Sequence, residues 1–266
     1  MSVALPRKPI QTFRSSRRSS SIEPGDSPPT PSLNTCHDSL QESIAFLEKS
    51  RASSNHPRSS VFDHIADILR QCRMIKKKNP SYVSRLYAYM RDEGIMEAHR
   101  SLGNQLVCLL VHVGKLAEAE EAFRSLPYRN EFSWTSLISG HIKCGKLSRA
   151  FLLYHKMQED SVQPSGHTFV SLIKACIKLK DVEKAWSLHE DICKLGLQKD
   201  LFVGSALVDM YVRFDMVDKA EEVFEELLVR DVVSWNALIS GFSRVGQGEK
   251  SLELYRHMRC EGISPT

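Results

Sequence analysis

The stretch from Val232 to Thr266 repeats the residue pattern of the stretch from Glu131 to Ser165, and both are 35 residues long. In each, a tryptophan opens a largely apolar stripe at i, i+3, i+4 and i+7, which is the spacing of one helix face. A break containing glycine follows, and then a second stripe with helical spacing. Each unit is therefore predicted to be a helical hairpin. Two amphipathic helices cannot bury their apolar faces alone, so such hairpins are expected to stack side by side.

Further units share the same register. A small residue early in the predicted second helix occurs five times, with separations of 31, 35, 35 and 31 residues: Ala119, Ala150, Ala185, Ala220 and Ser251. The units that follow from this register are 100–130, 131–165, 166–200, 201–231 and 232–266. An irregular unit, 62–99, precedes them. In it Asn79 and Pro80 are predicted to begin the second helix as cap and first residue.

Residues 1–34 differ in composition from the rest of the chain. They hold five basic residues before the first acid at Glu23, abundant serine, and four prolines between Pro24 and Pro31. Such a segment cannot bury enough apolar surface to fold and is predicted to be disordered. Its Arg-rich, Ser-rich, acid-poor composition favours an organellar transit peptide. Residues 35–61 are interpreted as a linker with one short helix over 38–50.

Charge and cysteine usage limit what the array of units can do. Residues 1–60 hold 8 of the 36 Lys/Arg and 5 of the 32 Asp/Glu, which leaves 28 against 27 in the remainder. Because the array is nearly neutral, binding to nucleic acid would need basic residues placed on one surface. The seven cysteines form no C-x-x-C pair, which argues against a zinc site or a disulfide framework. The longest apolar run, near 106–110, is too short to cross a membrane.

The motifs of these units resemble those of plant pentatricopeptide-repeat proteins of the P-L-S class. SWTSLISG and SWNALISG in 35-residue units match the P type, GHTFVSLIKACIKLKDVEKAWSLHEDICKLGLQKD matches the L type, and LFVGSALVDMYVRFDMVDKAEEVFEELLVRD matches the 31-residue S type. With 62–99 as a divergent L unit and 100–130 as an S unit, the order over 62–266 is L-S-P-L-S-P. The resemblance implies an all-α fold, a right-handed α-solenoid of helix-turn-helix repeats, whose first helices bind single-stranded RNA at one base per repeat.

In this family the base is read by the fifth and the last residue of a unit. Carried over, the pairs are Asn104 with Asn130, Thr135 with Ser165, Val170 with Asp200, Ser205 with Asp231, and Asn236 with Thr266. The family's rule then predicts, 5′ to 3′, pyrimidine, purine, unread, G and pyrimidine. The third unit is unread because the isopropyl group of Val170 has no hydrogen-bonding atom. From the residues alone, Asn, Ser and Thr near a helix start are better explained as helix caps.

Two further groups of residues recur at fixed positions. The thirteenth residue of each regular unit is basic or can become so: His112, Lys143, Lys178, Arg213 and Arg244. This row is interpreted as a phosphate-contacting stripe, as the resemblance also implies, with a solvated helix face as the alternative. The second residues Phe132, Phe202 and Val233 are candidates for sandwiching bases, or for packing in the core between units.

Catalytic motifs are missing from the sequence. A deaminase domain would need H-x-E and C-x-x-C, and the chain has neither; it also has no G-x-x-x-x-G-K-[ST] loop. We therefore predict a non-catalytic specificity factor, without cofactor or metal, that binds single-stranded organellar RNA for processing or C-to-U editing. Any deaminase or processing factor would be supplied by another protein, and neither DNA nor a membrane is an expected partner.

The amino-terminal segment also bears on location. Its Arg- and Ser-rich composition is typical of presequences for both the chloroplast and the mitochondrion, and the plastid is favoured. One alternative is a helical-repeat adaptor for proteins, although tetratricopeptide arrays keep a uniform period of about 34 residues. The other is a truncated remnant of a longer editing factor, because Thr266 ends both the chain and a unit.

Overall fold

The computed structural model describes residues 41–47, 49, 58–74 and 79–264, and these contain helices and turns but no strand. The predicted transit segment, 1–34, lies outside the described residues, as does the basic run at 76–78. The helices are 41–47 (α1), Arg58–Met74 (α2), Pro80–Asp92 (α3), Ile95–Ala98 (α4), Arg100–His112 (α5), Leu116–Ser125 (α6), Glu131–Lys143 (α7), Leu147–Glu159 (α8), Gly166–Leu179 (α9), Val182–Lys194 (α10), Leu201–Arg213 (α11), Val217–Glu226 (α12), Val232–Arg244 (α13) and Gly248–Cys260 (α14).

The helices from α5 onward pair into five hairpins. The first helix of each hairpin begins at a residue that opens a predicted unit: Arg100, Glu131, Gly166, Leu201 and Val232. In the two 35-residue units with the SW motif, Gly145 and Gly246 occupy the turn with φ of 74° and 83°. Glycine adopts this left-handed conformation without steric cost and so ends a helix readily. The division of these units into P, L and S types stays a prediction.

The hairpins stack in two layers. Each first helix contacts the first helix of the next unit, in the series α5, α7, α9, α11 and α13. The second helices α6, α8 and α12 pack on their own first helix and on the first helix of the following unit. A continuous apolar core lies between the layers, and the four alanines that set the register are fully buried in it. The predicted all-α solenoid of helical hairpins is confirmed.

The amino-terminal end of the described array is covered by α1. Ile44 and Leu47 are each 1% exposed, and Tyr82 on α3 donates a hydrogen bond of 3.1 Å to Gln41. Asn79 caps α3 by accepting from the amide of Ser81 at 3.0 Å, with proline as the first helical residue, as predicted. The four-residue helix α4 was not predicted, because so short an element has no periodic pattern.

The units repeat after 101 residues, the length of three consecutive units, so that each residue from 100 to 165 has a pseudo-equivalent 101 positions later. Arg129 lies 3.3 Å from Asp160, and its pseudo-equivalent Arg230 lies 3.4 Å from Glu261. The rings of Phe123 and Trp134 meet edge to face at 4.6 Å, and those of their pseudo-equivalents at 4.7 Å. Three units therefore form one structural period.

No helix within the described residues has the length and apolar character needed to span a membrane.

Candidate nucleic-acid interface

The first helices of neighbouring units border a cleft of about 600 Å³ at the junction of units 100–130 and 131–165. Its lining includes Asn104 and Asn130, the predicted base-reading pair of one unit. It also includes His112 from the predicted cation row and Phe132 from the predicted sandwiching group. Members of all three predicted groups are thus brought to one surface, which we call the first-helix face.

The fifth and last residues of unit 100–130 are directly bonded. The backbone amide of Asn130 donates to Oδ1 of Asn104 at 3.0 Å. The Nδ2 of Asn104 donates to the carbonyl of Arg100 at 2.7 Å and to that of Tyr128 at 3.0 Å. With both amide hydrogens used and only 2% of the residue exposed, Asn104 keeps one acceptor position on Oδ1.

In unit 201–231 the fifth and last residues are joined through their side chains. The hydroxyl of Ser205 donates to Oδ1 of Asp231 at 3.0 Å, and the same oxygen accepts from the amide of Ser234 at 2.8 Å. None of the described residues donates a hydrogen bond to Oδ2 of Asp231. One carboxylate oxygen is therefore held in place while the other is available as an acceptor.

Unit 131–165 joins its pair through a third residue. Glu131 accepts hydrogen bonds at Oε1 from Ser165 at 2.5 Å and from Thr135 at 3.1 Å. The hydroxyls of Thr135 and Thr168 are 2.6 Å apart. The two predicted reading residues of this unit thus meet at one carboxylate, a feature that sequence reasoning missed.

In unit 166–200 no hydrogen bond joins the side chains of the predicted pair, Val170 and Asp200. Val170 is half-buried against the core, and Asp200 is exposed and accepts from the amides of Phe202 and Val203 at 3.1 and 3.0 Å. Asn236 is half-buried on α13, whereas Thr266 lies outside the described residues.

The helix caps are the last residues of the units, not the fifth. Asn130, Asp200 and Asp231 each precede a first helix and accept a hydrogen bond from an amide of its first turn, and Ser165 forms a capping box with Thr168 at the start of α9. A fifth residue lies beyond the first turn, so it cannot accept these bonds. The interpretation of Asn104, Thr135 and Ser205 as caps is therefore wrong. Capping does account for the last residues of the units, with which they are paired.

The predicted cation row is not uniform. Lys143 and Lys178 are exposed, and neither has an ion-pair partner among the described residues. Arg213, in contrast, has its Nε within 2.8 and 3.0 Å of the two carboxylate oxygens of Asp209. Arg244 is paired with Asp215 at 3.0 Å and also donates to the carbonyl of Val212. His112 is exposed at the end of α5. Two of the five positions are thus already neutralised.

The predicted sandwiching residues project from the protein. Phe132 and Phe202 are each 70% exposed, and Val233 is 60% exposed. Their placement in a core between units, the alternative interpretation, is therefore wrong. An exposed phenyl ring beside a polar cleft offers a face on which a base can stack.

One thiol also lines the cleft. Cys108 on α5 lies 3.5 Å from the carbonyl of Phe132, and burial raises the pKa of this thiol, with Glu131 contributing in the same direction. A thiol held in its neutral form is a poor nucleophile. Within the described residues there is no group of three His, Cys, Asp or Glu that could hold a metal ion.

Two family models match the chain. The model described as the PPR repeat family, where PPR stands for pentatricopeptide repeat, matches residues 129–178 and 230–266. A second, described as the PPR repeat, matches residues 167–197 and 205–232. Most of the stretch from unit 131–165 to the end of the chain is thus similar to this repeat.

Curated relatives of the same kind come from Arabidopsis thaliana. One pentatricopeptide repeat-containing protein is 36% identical over 180 residues, which are 68% of this chain and 25% of that protein. Another, whose name places it in the mitochondrion, is 31% identical over the whole chain and 41% of its own length. The matched stretch therefore spans about a quarter of the first relative and about two fifths of the second.

Solved structures share the fold. The pentatricopeptide repeat protein PPR10, in complex with an 18-nt psaJ RNA element, superposes with a TM-score of 0.63 at 18% identity, over 89% of this chain and 35% of that one. The PPR domain of Arabidopsis thaliana protein-only RNase P 1, in complex with tRNA, gives 0.52 at 20% identity, over 63% of this chain and 92% of that one.

Proposed function

We propose that this chain, whose units are pentatricopeptide repeats, binds single-stranded RNA along the first-helix face. The observation that carries the proposal is the cleft in which Asn104, Asn130, His112 and Phe132 lie side by side. Such a site offers a base hydrogen-bonding atoms and a ring to stack on, and it offers the adjoining phosphate the imidazole of His112 as a partner. The RNA-bound structures of PPR10 and of the RNase P domain support the same assignment by fold.

Unit 201–231 is the unit expected to discriminate most. Oδ2 of Asp231 is an available acceptor whose orientation is fixed by two hydrogen bonds to Oδ1. Guanine presents two neighbouring donors, N1–H and the N2 amino group, on its Watson–Crick edge, and a carboxylate can accept from them. Asn104 offers only one remaining acceptor position on an uncharged oxygen, so unit 100–130 is expected to discriminate less strictly between bases.

The role proposed for the chain is to select an RNA, not to catalyse a reaction on it. We infer that the chain is a non-catalytic specificity factor for organellar transcripts, acting in processing or C-to-U editing, with any deaminase supplied by another protein. The mitochondrial names of two relatives support an organellar location, and they give no support to the preference for the plastid.

The proposal is tested by binding of the full chain to short single-stranded RNAs at one fixed salt concentration. The reference RNA is 5′-pyrimidine-purine-N-G-pyrimidine, and the first variant replaces the G. We expect the replacement to weaken binding, and we expect the double substitution Ser205→Asn with Asp231→Ser to redirect the preference away from G. Altering the N opposite unit 166–200 is the matched control, because Val170 offers no hydrogen bond.

Binding that ignores the G and is unaffected by Ala at Lys143 and Lys178 would contradict the proposal. The helical array would then be better explained as an adaptor for proteins.

A further inference from the structure

Glu131 places a carboxylate at the reading pair of unit 131–165, and no other regular unit has one at its first position. The residues there are Arg100, Gly166, Leu201 and Val232 in the other units. Glu131 is half-buried at the start of α7, on the first-helix face. The resemblance that pairs fifth and last residues gives the first residue no part in reading.

The hydrogen bonds around Glu131 fix the direction of two hydroxyl groups. Ser165 and Thr135 both donate to Oε1, at 2.5 and 3.1 Å. Since the hydrogen of Thr135 is used in this way, the buried hydroxyl of Thr168 must be the donor in its 2.6 Å contact with Thr135. Oε2 of Glu131 receives no hydrogen bond from the described residues.

The site formed in this way can accept hydrogen bonds but not donate them. An ionised carboxylate is acceptor-only, and a hydroxyl whose hydrogen is committed offers only its lone pairs. Without Glu131, each hydroxyl could rotate to donate or accept, and the pair would tolerate either kind of base edge.

We propose that Glu131 is a third specificity-determining residue of unit 131–165, which restricts the unit to a base with adjacent donors and so selects guanine over adenine. This inference rests on the RNA binding proposed above. Guanine offers N1–H beside its N2 amino group, whereas adenine sets its amino group beside the bare lone pair of N1. That lone pair would face carboxylate oxygen without a hydrogen between them, and a site built to accept rejects a base that cannot donate.

The test compares RNAs that carry G or A opposite unit 131–165, with the G opposite unit 201–231 kept in both. A bidentate contact to one base discriminates by about 1–3 kcal/mol, so the unmodified chain should prefer G by roughly tenfold. In Glu131→Gln the amide supplies a donor, and the ratio should fall to about one or favour A. Glu131→Val introduces the residue found at the pseudo-equivalent position, Val232. This variant should bind the G and A RNAs with equal affinity, without a new preference.

Removing an acid also weakens repulsion of phosphates, so a charge control is needed. Glu183→Gln, at an exposed position on the second helix α10, removes the same charge and should leave the ratio of G to A unchanged. Thermal unfolding of each variant separates lost specificity from lost folding.

Two failures are distinguishable. In the first, the chain prefers G opposite unit 201–231 while Glu131→Gln and Glu131→Val leave the ratio of G to A opposite unit 131–165 unchanged. In that case the role of Glu131 is wrong and the RNA-binding function stands. If no RNA of any sequence binds, the proposed function is wrong and this inference is wrong with it.

Discussion

The Nε2 atom of His141 lies 2.9 Å from Oε1 of Glu120, and the imidazole is completely buried between units 100–130 and 131–165. Burial lowers the pKa of His141, and Lys146 and Arg149 lower it further, while Glu120 acts in the opposite direction. The pseudo-equivalent of this histidine is Phe242, which is also fully buried. An ionisable ring therefore occupies a place that the same fold elsewhere fills with a hydrocarbon ring.

Acid is expected to destabilise the folded chain through His141. Because its pKa is lower in the folded state, the unfolded chain binds the proton more readily, and stability is lost as pH falls below about 6.5. The substitution His141→Phe, which introduces the residue of the pseudo-equivalent position, should flatten this dependence. Thermal unfolding midpoints measured from about pH 7.5 to 5 would show it. Parallel curves for the two proteins would mean that other groups set the acid sensitivity.

Gly204 is expected to tolerate no side chain. A Cβ atom there would lie 2.2 Å from Cδ2 of Leu227 and 3.0 Å from the carbonyl oxygen of Gln198. The leucine can move but the backbone carbonyl yields less, so Gly204→Ala should cost about 1–3 kcal/mol of unfolding free energy. Gly248→Ala is the control, since nothing lies within 4 Å of its added Cβ. Urea denaturation should show the control unchanged or stabilised by about 0.4–1 kcal/mol.

Asp209 is expected to limit RNA affinity by neutralising Arg213. Asp209→Asn frees the guanidinium for a phosphate, so binding should tighten and its salt dependence should steepen by about 0.7 in the log–log slope for one added contact. Lys178→Ala should change the slope by the same amount in the other direction. Asp218→Asn, exposed on the second helix α12, should leave the slope unchanged. Equal slopes for all four proteins would exclude a phosphate-binding role for the row.

Phe132 and Phe202 are expected to contribute to RNA binding without contributing to stability. Each ring is 70% exposed, so replacement by Ala should change the unfolding free energy by no more than about 0.5 kcal/mol. A stacked base is worth about 1–3 kcal/mol, so affinity should fall at least severalfold. Val233→Ala should have a smaller effect, because an isopropyl group offers no aromatic face. Unchanged RNA affinity in both phenylalanine variants would argue that bases do not stack there.

The hairpins could be predicted because their signals are local. Each first helix carries its apolar period within 13 or 14 residues, and the small buried residue of each second helix keeps its register from unit to unit. The pairing of Arg213 with Asp209 was equally visible as an i, i+4 pair of opposite charge. A phosphate stripe predicted from the cations alone takes no account of this pairing.

The site could be predicted only in outline. Burial of Asn104 depends on a bond to the carbonyl of Tyr128, 24 residues away, and the partner of Arg244 lies 29 residues earlier. Such contacts depend on how a unit folds back on itself and on how one hairpin meets the next, which no local pattern records. Glu131 was missed for a related reason, because its importance comes from two hydroxyls at opposite ends of its own unit.

The double use of the last residues limits how such an array can change its target. Asn130, Ser165, Asp200 and Asp231 each cap the start of the next helix, and each is also predicted to take part in reading a base. The side chains that cap a helix well are few, chiefly Asn, Asp, Ser and Thr, and replacing one by Ala costs about 1 kcal/mol. Folding therefore limits the residue types that these positions can adopt in evolution or engineering. A change of RNA target has to use residues at the last position of each unit that also cap the helix that follows.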